Sequence, residues 1–309
     1  MSLHVSRWLR YLTLLVGLTG LLPGAGRATS TLDDTPRIAV LSAFQGELAL
    51  LLSRVDAPQS YTVNGVSFTT GVLQGKPVVL FLSGVSMTNT AMTTQLVLDR
   101  FHVTHLVFSG IAGGVNPALN IGDVTVAQRW GQYLEVLMAR ETAPGKYSAP
   151  PWMDDVKLPN FGMLHPRPVT VRSDGHSEES KFWFEADAQL LALARSVQGT
   201  VLDACDTTKQ CLTHSPKLVV GGNGVSGQAF VDNRAFREYV FNTFEANVLD
   251  METAATAMVA YSNGVPFIAF RSLSDLAGGG GTENEMDTFL SIAANNSAKV
   301  LLAFLAAWK

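Results

Sequence analysis

The chain has 309 residues, of which 47% are hydrophobic and 16% are charged, and its formal charge at pH 7 is −4. This length and apolar content suffice for one large domain with its own core. The acidic balance argues against a nucleic acid or an anionic membrane as a partner, because both reward a basic face. A small neutral ligand remains compatible with this composition.

The N-terminal segment is typical of a signal peptide. Arg7 and Arg10 precede an apolar run over 11–22, and Gly26 and Ala28 are small residues at the two positions that a signal peptidase inspects. The run is too short to cross a bilayer roughly 30 Å thick as a helix. We therefore predict a signal peptide over residues 1–28, a periplasmic or secreted protein, and no stable membrane insertion after cleavage, since no later segment is expected to be apolar for long enough. An uncleaved anchor is the alternative.

Two cysteines, Cys205 and Cys211, are close neighbours in the sequence ACDTTKQC. In an oxidising compartment two such residues most simply form one disulfide across a short polar loop. A metal site would need further ligands, and only His214 is near, so no metal is expected here.

Apolar strands alternate with helices along the chain, with glycine-rich turns at strand ends, which predicts an α/β domain with helices on both faces of a sheet. The stretch from 129 to 180 shows no period and is interpreted as an irregular insertion. The remaining pattern predicts strands at 37–41, 60–70, 72–74, 77–82, 105–108, 120–126, 217–220 and 265–270, a turn at 109–114, and helices at 48–54, 89–101, 185–197, 234–244, 253–261 and about 285–308.

The stretch from 247 to 281 carries the strongest candidates for chemistry. A short run ends at Glu252 and leads into a helix, and the strand after that helix ends in RSLSD, which contains Arg271, Ser274 and Asp275. Open α/β sheets bind ligands at the carboxyl ends of their strands. Each carboxylate alone could be a helix cap. Two carboxylates and an Arg within one strand–helix–strand unit favour a site.

The sequences DMETAATA, VPFIAFRSLSDLAGG, NIGDVTV and FVDN resemble the nucleoside phosphorylase/nucleosidase superfamily. The resemblance is greatest to methylthioadenosine/S-adenosylhomocysteine nucleosidases and to plant bark storage proteins. It implies a single-domain three-layer α/β/α fold with a central mixed sheet over residues 37–309. It also implies a homodimer, a nucleoside as the small-molecule substrate, and no cofactor.

The resemblance also bears on the reaction to expect, because hydrolases and phosphorylases of the superfamily differ at a few positions. The turn SGIAGG has neither GK[ST] nor GxGxxG, so it is weak as a phosphate loop. At the positions where phosphorylases hold phosphate, this chain has Phe108, Ile111 and Glu47. A carboxylate there would repel phosphate and suits an attacking water molecule. Nucleosidases have a hydroxyl residue where Ile111 stands, whereas the storage proteins share an Ile in this turn.

The implied reaction is hydrolysis of an N-glycosidic bond that releases adenine. By the resemblance, Glu47 deprotonates the water, and Asp275, with a raised pKa, gives a proton or hydrogen bond to the purine N7. Arg271 orients Glu47 or the water, and Ser274 orients Asp275. The residues placed around the substrate are Glu252 and Met251 at the ribose, Phe230 at the base (or in the core), and Val231, Gly84 and Ile111. The alternatives are a catalytically idle storage or binding protein of the same fold and a phosphate-dependent phosphorylase.

Overall fold

A mixed sheet of twelve strands organises the part of the chain that the computed structural model describes, residues 31–153, 157–173, 176–281 and 283–309. The predicted signal peptide lies outside the described residues. The strands are β1 Asp33–Ser42, β2 Asp56–Val63, β3 Val66–Leu73, β4 Lys76–Leu82, β5 Phe101–Gly114, β6 Val124–Val126, β7 Arg129–Gln132, β8 Val136–Met138, β9 Arg140–Ala143, β10 Lys146–Ser148, β11 Leu164–Pro166, β12 Val169–Ser173, β13 His176–Lys181, β14 Trp183–Glu185, β15 Leu218–Val220, β16 Asn223–Ser226, β17 Ala246–Asp250 and β18 Phe267–Asp275.

Helices cover both faces of this sheet, which confirms the predicted three-layer α/β/α class. They are α1 Gln45–Leu52, α2 Met87–Arg100, α3 Ala188–Ser196, α4 Arg234–Phe244, α5 Thr253–Ser262 and α6 Met286–Ala307, and one 3₁₀ turn spans Pro151–Met153. Successive side chains of a strand point to opposite faces. In β1, Ile38 and Val40 therefore pack in one core with residues of α1, α3 and α6, while Ala39 and Leu41 pack in a second core with residues of α2 and α5.

The long strand β5 is the centre of the sheet. It pairs in parallel with β1 on one side and with β18 on the other, and its last two residues pair antiparallel with β17. The main path runs β14-β7-β16-β17-β5-β1-β4-β3-β2, while β18 joins β5 to β6, and β6 pairs with β15. Three carboxyl-terminal strand ends, those of β1, β17 and β18, thus meet beside the end of β5.

The predicted turn over 109–114 is wrong, because these residues continue β5: residues 109–113 pair with β18 and Gly114 pairs with β17. The glycines in this part of β5 allow side chains of other elements to come close to the strand. A Cβ on Gly110 would lie 2.4 Å from both Arg271 Nη1 and Glu47 Oε1. Only glycine leaves room there for two side chains that cross the strand.

The irregular insertion predicted over 129–180 contains short strands. The strands β8 and β11, β9 and β10, and β12 and β13 form three antiparallel pairs, while β7 joins the main sheet, where it pairs with β14 just after the insertion. Strands of three to six residues carry too few alternations to produce a readable period.

The last helix corrects a second expectation, that no later segment would be long and apolar enough to cross a membrane. Met286–Ala307 meets that criterion by length and composition, and 56% of its most apolar window is buried inside this fold. Leu301 and Phe304 lie in the core, and the Phe304 ring packs edge-on against Phe270 of β18 at 5.0 Å.

Cys205 and Cys211 form the predicted disulfide. Two contacts attach the segment before it to α6. Asn296 Oδ1 accepts a hydrogen bond from the Asp203 backbone N–H at 2.7 Å, and Lys299 Nζ lies 2.5 Å from Asp203 Oδ1.

Candidate active site

A cavity of about 460 Å³ opens where the carboxyl ends of β1, β17 and β18 converge beside the end of β5. Its size is within the range of small-molecule sites. Four carboxylates line it, from Glu47, Asp250, Glu252 and Asp275. The rest of its wall is mainly apolar and includes Phe44, Val85, Ile111, Phe230, Met286 and Leu290.

Glu47 lies in the first turn of α1, directly after β1, and only 2% of its surface is exposed. Its Oε2 accepts a hydrogen bond from the Ala43 N–H at 2.6 Å, and its Oε1 accepts one from the Ile111 N–H at 2.7 Å. Burial raises the pKa of Glu47 to about 7, although the nearby Arg271 guanidinium and both N–H donors lower it. A carboxylate poised near neutrality suits a general base.

Arg271, from the middle of β18, is completely buried behind the carboxylates. Its Nη1 lies 3.6 Å from Glu47 Oε1, its Nη2 3.2 Å from Glu252 Oε2, and its Nε 2.8 Å from Asp250 Oδ2. The guanidinium also lies over the Phe108 ring, 4.0 Å from its centroid. Arg271 is thus in contact with Glu47, and its orienting role stays a prediction. Arg271 is not among the residues that line the cavity, however, so this arrangement gives it no direct contact with a ligand.

Glu252 stands at the N-terminus of α5, between Met251 and the helix, and both residues line the cavity. Its Oε1 accepts a hydrogen bond from the Ser86 N–H at 2.9 Å. Burial raises the pKa of Glu252, Arg271 lowers it, and the charge of Asp250 raises it again. Gly84 does not line the cavity, whereas the next residue, Val85, does. The backbone of Gly84 has a φ of 76° at the turn that leads to Val85 and Ser86.

Asp275 ends β18 and lines the same cavity as Glu47. Ser274 Oγ donates to Asp275 Oδ2 at 2.9 Å, and the Ala277 N–H donates to Oδ1 at 2.8 Å. Burial raises the pKa of Asp275, and these two hydrogen bonds lower it. A carboxyl group whose pKa is raised in this way can hold a proton for a leaving group.

The structure places Phe230, Val231 and Ile111 in the cavity wall. The alternative of core packing for Phe230 is wrong, since 54% of its surface is exposed. An exposed aromatic ring at the mouth of a cavity offers a face on which a planar base can stack.

Sequence reasoning missed Asp250, which lines the cavity and pairs with Arg271. Its signal was present, because it precedes Glu252 by two residues in DMET. Ser226, which hydrogen-bonds Asp250 at 2.5 Å, was missed for a different reason. It ends β16, whose sequence NGVS contains no apolar run that would predict a strand.

Comparison with known proteins identifies the class to which this fold and site belong. The family profile described as the phosphorylase superfamily matches residues 37–306. The chain therefore belongs to the phosphorylase superfamily.

Its relatives specify the branch. The 5′-methylthioadenosine/S-adenosylhomocysteine nucleosidase of Bacillus cytotoxicus is 28% identical over 271 residues, which cover 87% of this chain and 98% of the relative. The Helicobacter pylori nucleosidase of the same name, solved with butyl-thio-DADMe-Immucillin-A, is 25% identical with a TM-score of 0.64 and covers 88% of this chain and 98% of its own. The futalosine hydrolase of Helicobacter pylori is 26% identical with a TM-score of 0.64, and the match covers 87% of this chain and 97% of the hydrolase. Within the superfamily the chain is an N-glycosidic hydrolase, a nucleosidase.

Proposed function

We propose that this nucleosidase hydrolyses adenine nucleosides of the 5′-methylthioadenosine and S-adenosylhomocysteine type and releases adenine. The observation that supports this most is the placement of Glu47 and Asp275 on one cavity, both with pKa values raised by burial. Cleavage of a glycosidic bond needs a base on the side of the attacking water and an acid on the side of the leaving group.

In the proposed reaction, Glu47 takes a proton from water as its oxygen attacks C1′ of the ribose. The bond between C1′ and the purine N9 breaks, and its electron pair goes to the base. Asp275 gives a proton to N7, so adenine leaves as a neutral molecule. The Ala43 and Ile111 N–H groups fix both oxygens of Glu47, which holds the base in a single orientation for this step.

Glu252 and the Met251 backbone would hold the ribose hydroxyls. Contacts that tighten as positive charge develops on the ribose lower the barrier, since they bind the transition state more strongly than the substrate. Phe230 would stack on the base beside Val231. The apolar part of the wall, from Phe44, Val85, Met286 and Leu290, suits an apolar group at the 5′ position of the ribose.

Phosphate is an unsuitable nucleophile for this cavity. The Arg271 charge is already shared among Asp250, Glu252 and Glu47, and Phe108 lies under the guanidinium. The carboxylate of Glu47 occupies the place that an anion would need. These contacts disfavour the phosphorylase alternative.

The test measures adenine release from a panel of nucleosides that differ in base and in 5′ group, with and without phosphate. Release of adenine and a free ribose derivative at the same rate in both buffers supports the proposal. Ribose 1-phosphate formed only in phosphate buffer would make the protein a phosphorylase. If no nucleoside is cleaved but adenosine analogues bind, the storage or binding alternative holds.

We further propose that the protein is exported through its N-terminal segment, functions as a homodimer, and needs no cofactor or metal. Export is supported by the charged and apolar pattern of residues 1–28 and by the disulfide. Light scattering on the purified protein measures the oligomeric state, and a monomer at micromolar concentration would contradict the dimer. Because no metal is needed in this proposal, the protein should keep full activity after dialysis against a chelator.

A further inference from the structure

Asp250 is buried at the end of β17 and receives more polar contacts than a helix cap requires. Its Oδ1 accepts hydrogen bonds from the Glu252 and Thr253 N–H groups, both at 3.1 Å, and from Ser226 Oγ at 2.5 Å. Its Oδ2 pairs with Arg271 Nε at 2.8 Å and accepts a hydrogen bond from Thr253 Oγ1. One oxygen therefore caps α5, and the other faces the guanidinium.

We propose that Asp250 is a positioning residue that holds one edge of Arg271 and thereby fixes how much of the Arg271 charge reaches Glu252 and Glu47. The inference rests on the proposed roles of those two carboxylates. Capping needs only a neutral acceptor, which Ser or Asn supplies in most helices. The negative charge of Asp250 is needed only on the side of Arg271.

The groups that face Arg271 come from four elements. Glu47 approaches from α1, Asp250 from β17, Glu252 from the start of α5, and the Phe108 ring from β5. Three carboxylates thus share one buried guanidinium, and each takes part of its stabilisation at the expense of the others.

The electrostatics agree with this sharing. Arg271 lowers the pKa of both Glu47 and Glu252, whereas Asp250 raises the pKa of Glu252. The Asp250 charge also acts on Tyr133, which follows β7. Burial raises the pKa of the Tyr133 hydroxyl, and the Asp250 charge raises it further. Within the described residues that hydroxyl has no hydrogen-bond partner.

Asp250→Asn tests the proposal, because it keeps an acceptor for the helix cap and removes the charge. With one competitor gone, Arg271 stabilises the ionised forms of Glu252 and Glu47 more strongly. The acidic limb of the kcat/KM profile should then move to lower pH, by on the order of one unit. We also expect kcat/KM at its optimum to fall about tenfold, because the Nε edge of Arg271 loses its charged partner and keeps only its hydrogen bond to Thr253 Oγ1.

Ser226→Ala is the matched control, since it removes one hydrogen bond from Asp250 and leaves every charge in place. It should leave the acidic limb where it is in the wild type. Equal loss of activity by Asp250→Asn at every pH, with an unmoved limb, would show that the Asp250 charge does not set the titration of Glu252 and Glu47, and would overturn the proposal. Unchanged activity in Asp250→Asn would overturn it too.

A second readout is independent of catalysis. A carboxyl whose pKa is higher in the folded chain loses stability as pH rises from its unfolded value through its folded value. The melting temperature of the wild type should therefore fall between about pH 4.5 and 7, the ordinary and the raised pKa of Glu47, and it should fall less in Asp250→Asn. Parallel curves would refute the inference even if the wild type cleaved no nucleoside. If Asp250→Asn does not fold, Asp250→Ser replaces it, and failure of both would show a purely structural role.

Discussion

Glu47 and Asp275 lie on the same cavity, but different groups hold their oxygens. Both oxygens of Glu47 accept hydrogen bonds from backbone N–H groups, and Arg271 Nη1 lies 3.6 Å from Glu47 Oε1. Asp275 has a serine hydroxyl and one N–H, and the Arg271 contacts do not include it. A cation beside a carboxyl favours its ionised form, whereas burial favours the protonated form. This difference in surroundings supports the proposed assignment of Glu47 as the base and Asp275 as the acid.

Asp275→Asn should lose kcat by about 10²–10⁴-fold, the usual contribution of a general acid, with little change in substrate affinity. Asparagine keeps the shape and can still hydrogen-bond N7, but it has no proton to transfer as the bond breaks. Glu47→Gln should behave in the same way, because water stays bound but is not activated. Steady-state kinetics on methylthioadenosine, or on the best nucleoside of the panel, measures both. Near-wild-type kcat in both variants would contradict the assigned roles.

Glu252→Ala is the contrasting substitution, since this carboxylate would hold the ribose in both the ground state and the transition state. We expect KM to rise as well as kcat to fall. A loss confined to kcat would place Glu252 in the chemical step instead.

The activity should rise with pH on the acid side as Glu47 loses its proton, with an apparent pKa of about 7. Because kcat/KM reports the free enzyme, its profile between pH 5 and 9 is the appropriate measurement. The raised pKa of Asp275 extends upward the pH range over which it keeps its proton. The residual activity of Glu47→Gln should lack the acidic limb. A limb near pH 4.5, the ordinary value of a Glu, would show that burial does not act as described.

Ser86 has φ 88° and ψ 155°, a conformation that is nearly restricted to glycine. It brings the Ser86 N–H to Glu252. Ser86→Gly should therefore stabilise the protein by about 1 kcal/mol, since the strain of about 1–3 kcal/mol exceeds the entropy cost of glycine. Ser53→Gly, at an ordinary φ of −68°, is the control and should destabilise. Urea denaturation compares the two, and a less stable Ser86→Gly would contradict this account.

At the scale of the element, sequence predicts well where a helical pattern of apolar or small residues continues over several turns. The helix α4 has the predicted bounds 234–244, and α5 and α6 begin and end within two residues of their predictions. The continuations of β5 and β18 were not predictable in this way. Glycine in one and polar residues in the other resemble a turn, and only their mutual pairing and the burial of Arg271 make them strands.

The residues of the candidate site likewise differ in whether local sequence could predict them. Glu47, Glu252 and Asp275 could be named from the sequence because each follows an apolar strand and the family resemblance covers it. The sharing of Arg271 among three carboxylates could not, since it depends on the distances between four separate elements. Local sequence holds no information on such distances.

Gly110 tests how tightly β5 is packed against the site. An added Cβ would lie 2.4 Å from Arg271 and Glu47 side-chain atoms, so Gly110→Ala should destabilise by about 1–3 kcal/mol through overpacking. Displacement of Glu47 should also reduce kcat. Gly199→Ala is the control, because no atom lies within 4 Å of the position of its Cβ. Equal stability and activity of the two variants would show that the strand can move aside.

At the scale of the whole molecule, the export proposal predicts a mature chain that starts near Thr29 with both cysteines oxidised. Intact mass of the protein secreted by an expressing bacterium measures both properties at once. A full-length, reduced species in the periplasm would contradict the signal peptide and the oxidising compartment together. A full-length, oxidised species would indicate the uncleaved anchor.

The disulfide should contribute to stability and not to catalysis. It closes a loop of about seven residues, which corresponds to roughly 2.4 kcal/mol in the chain-entropy account. The loop is attached through Asp203 to Asn296 and Lys299 of α6, and Leu212 packs against Gly122. Within the described chain, residues 203–212 contribute nothing to the cavity wall.

Replacing both cysteines, Cys205→Ser with Cys211→Ser, should therefore lower the free energy of unfolding by about that amount and leave kcat and KM unchanged. Urea denaturation with and without a reductant supplies the control. The reductant should lower the stability of the wild type toward that of the double variant and have no effect on the variant itself. A fall in kcat at unchanged stability would mean that the loop acts on the site through α6, whose Met286 and Leu290 line the cavity at its other end.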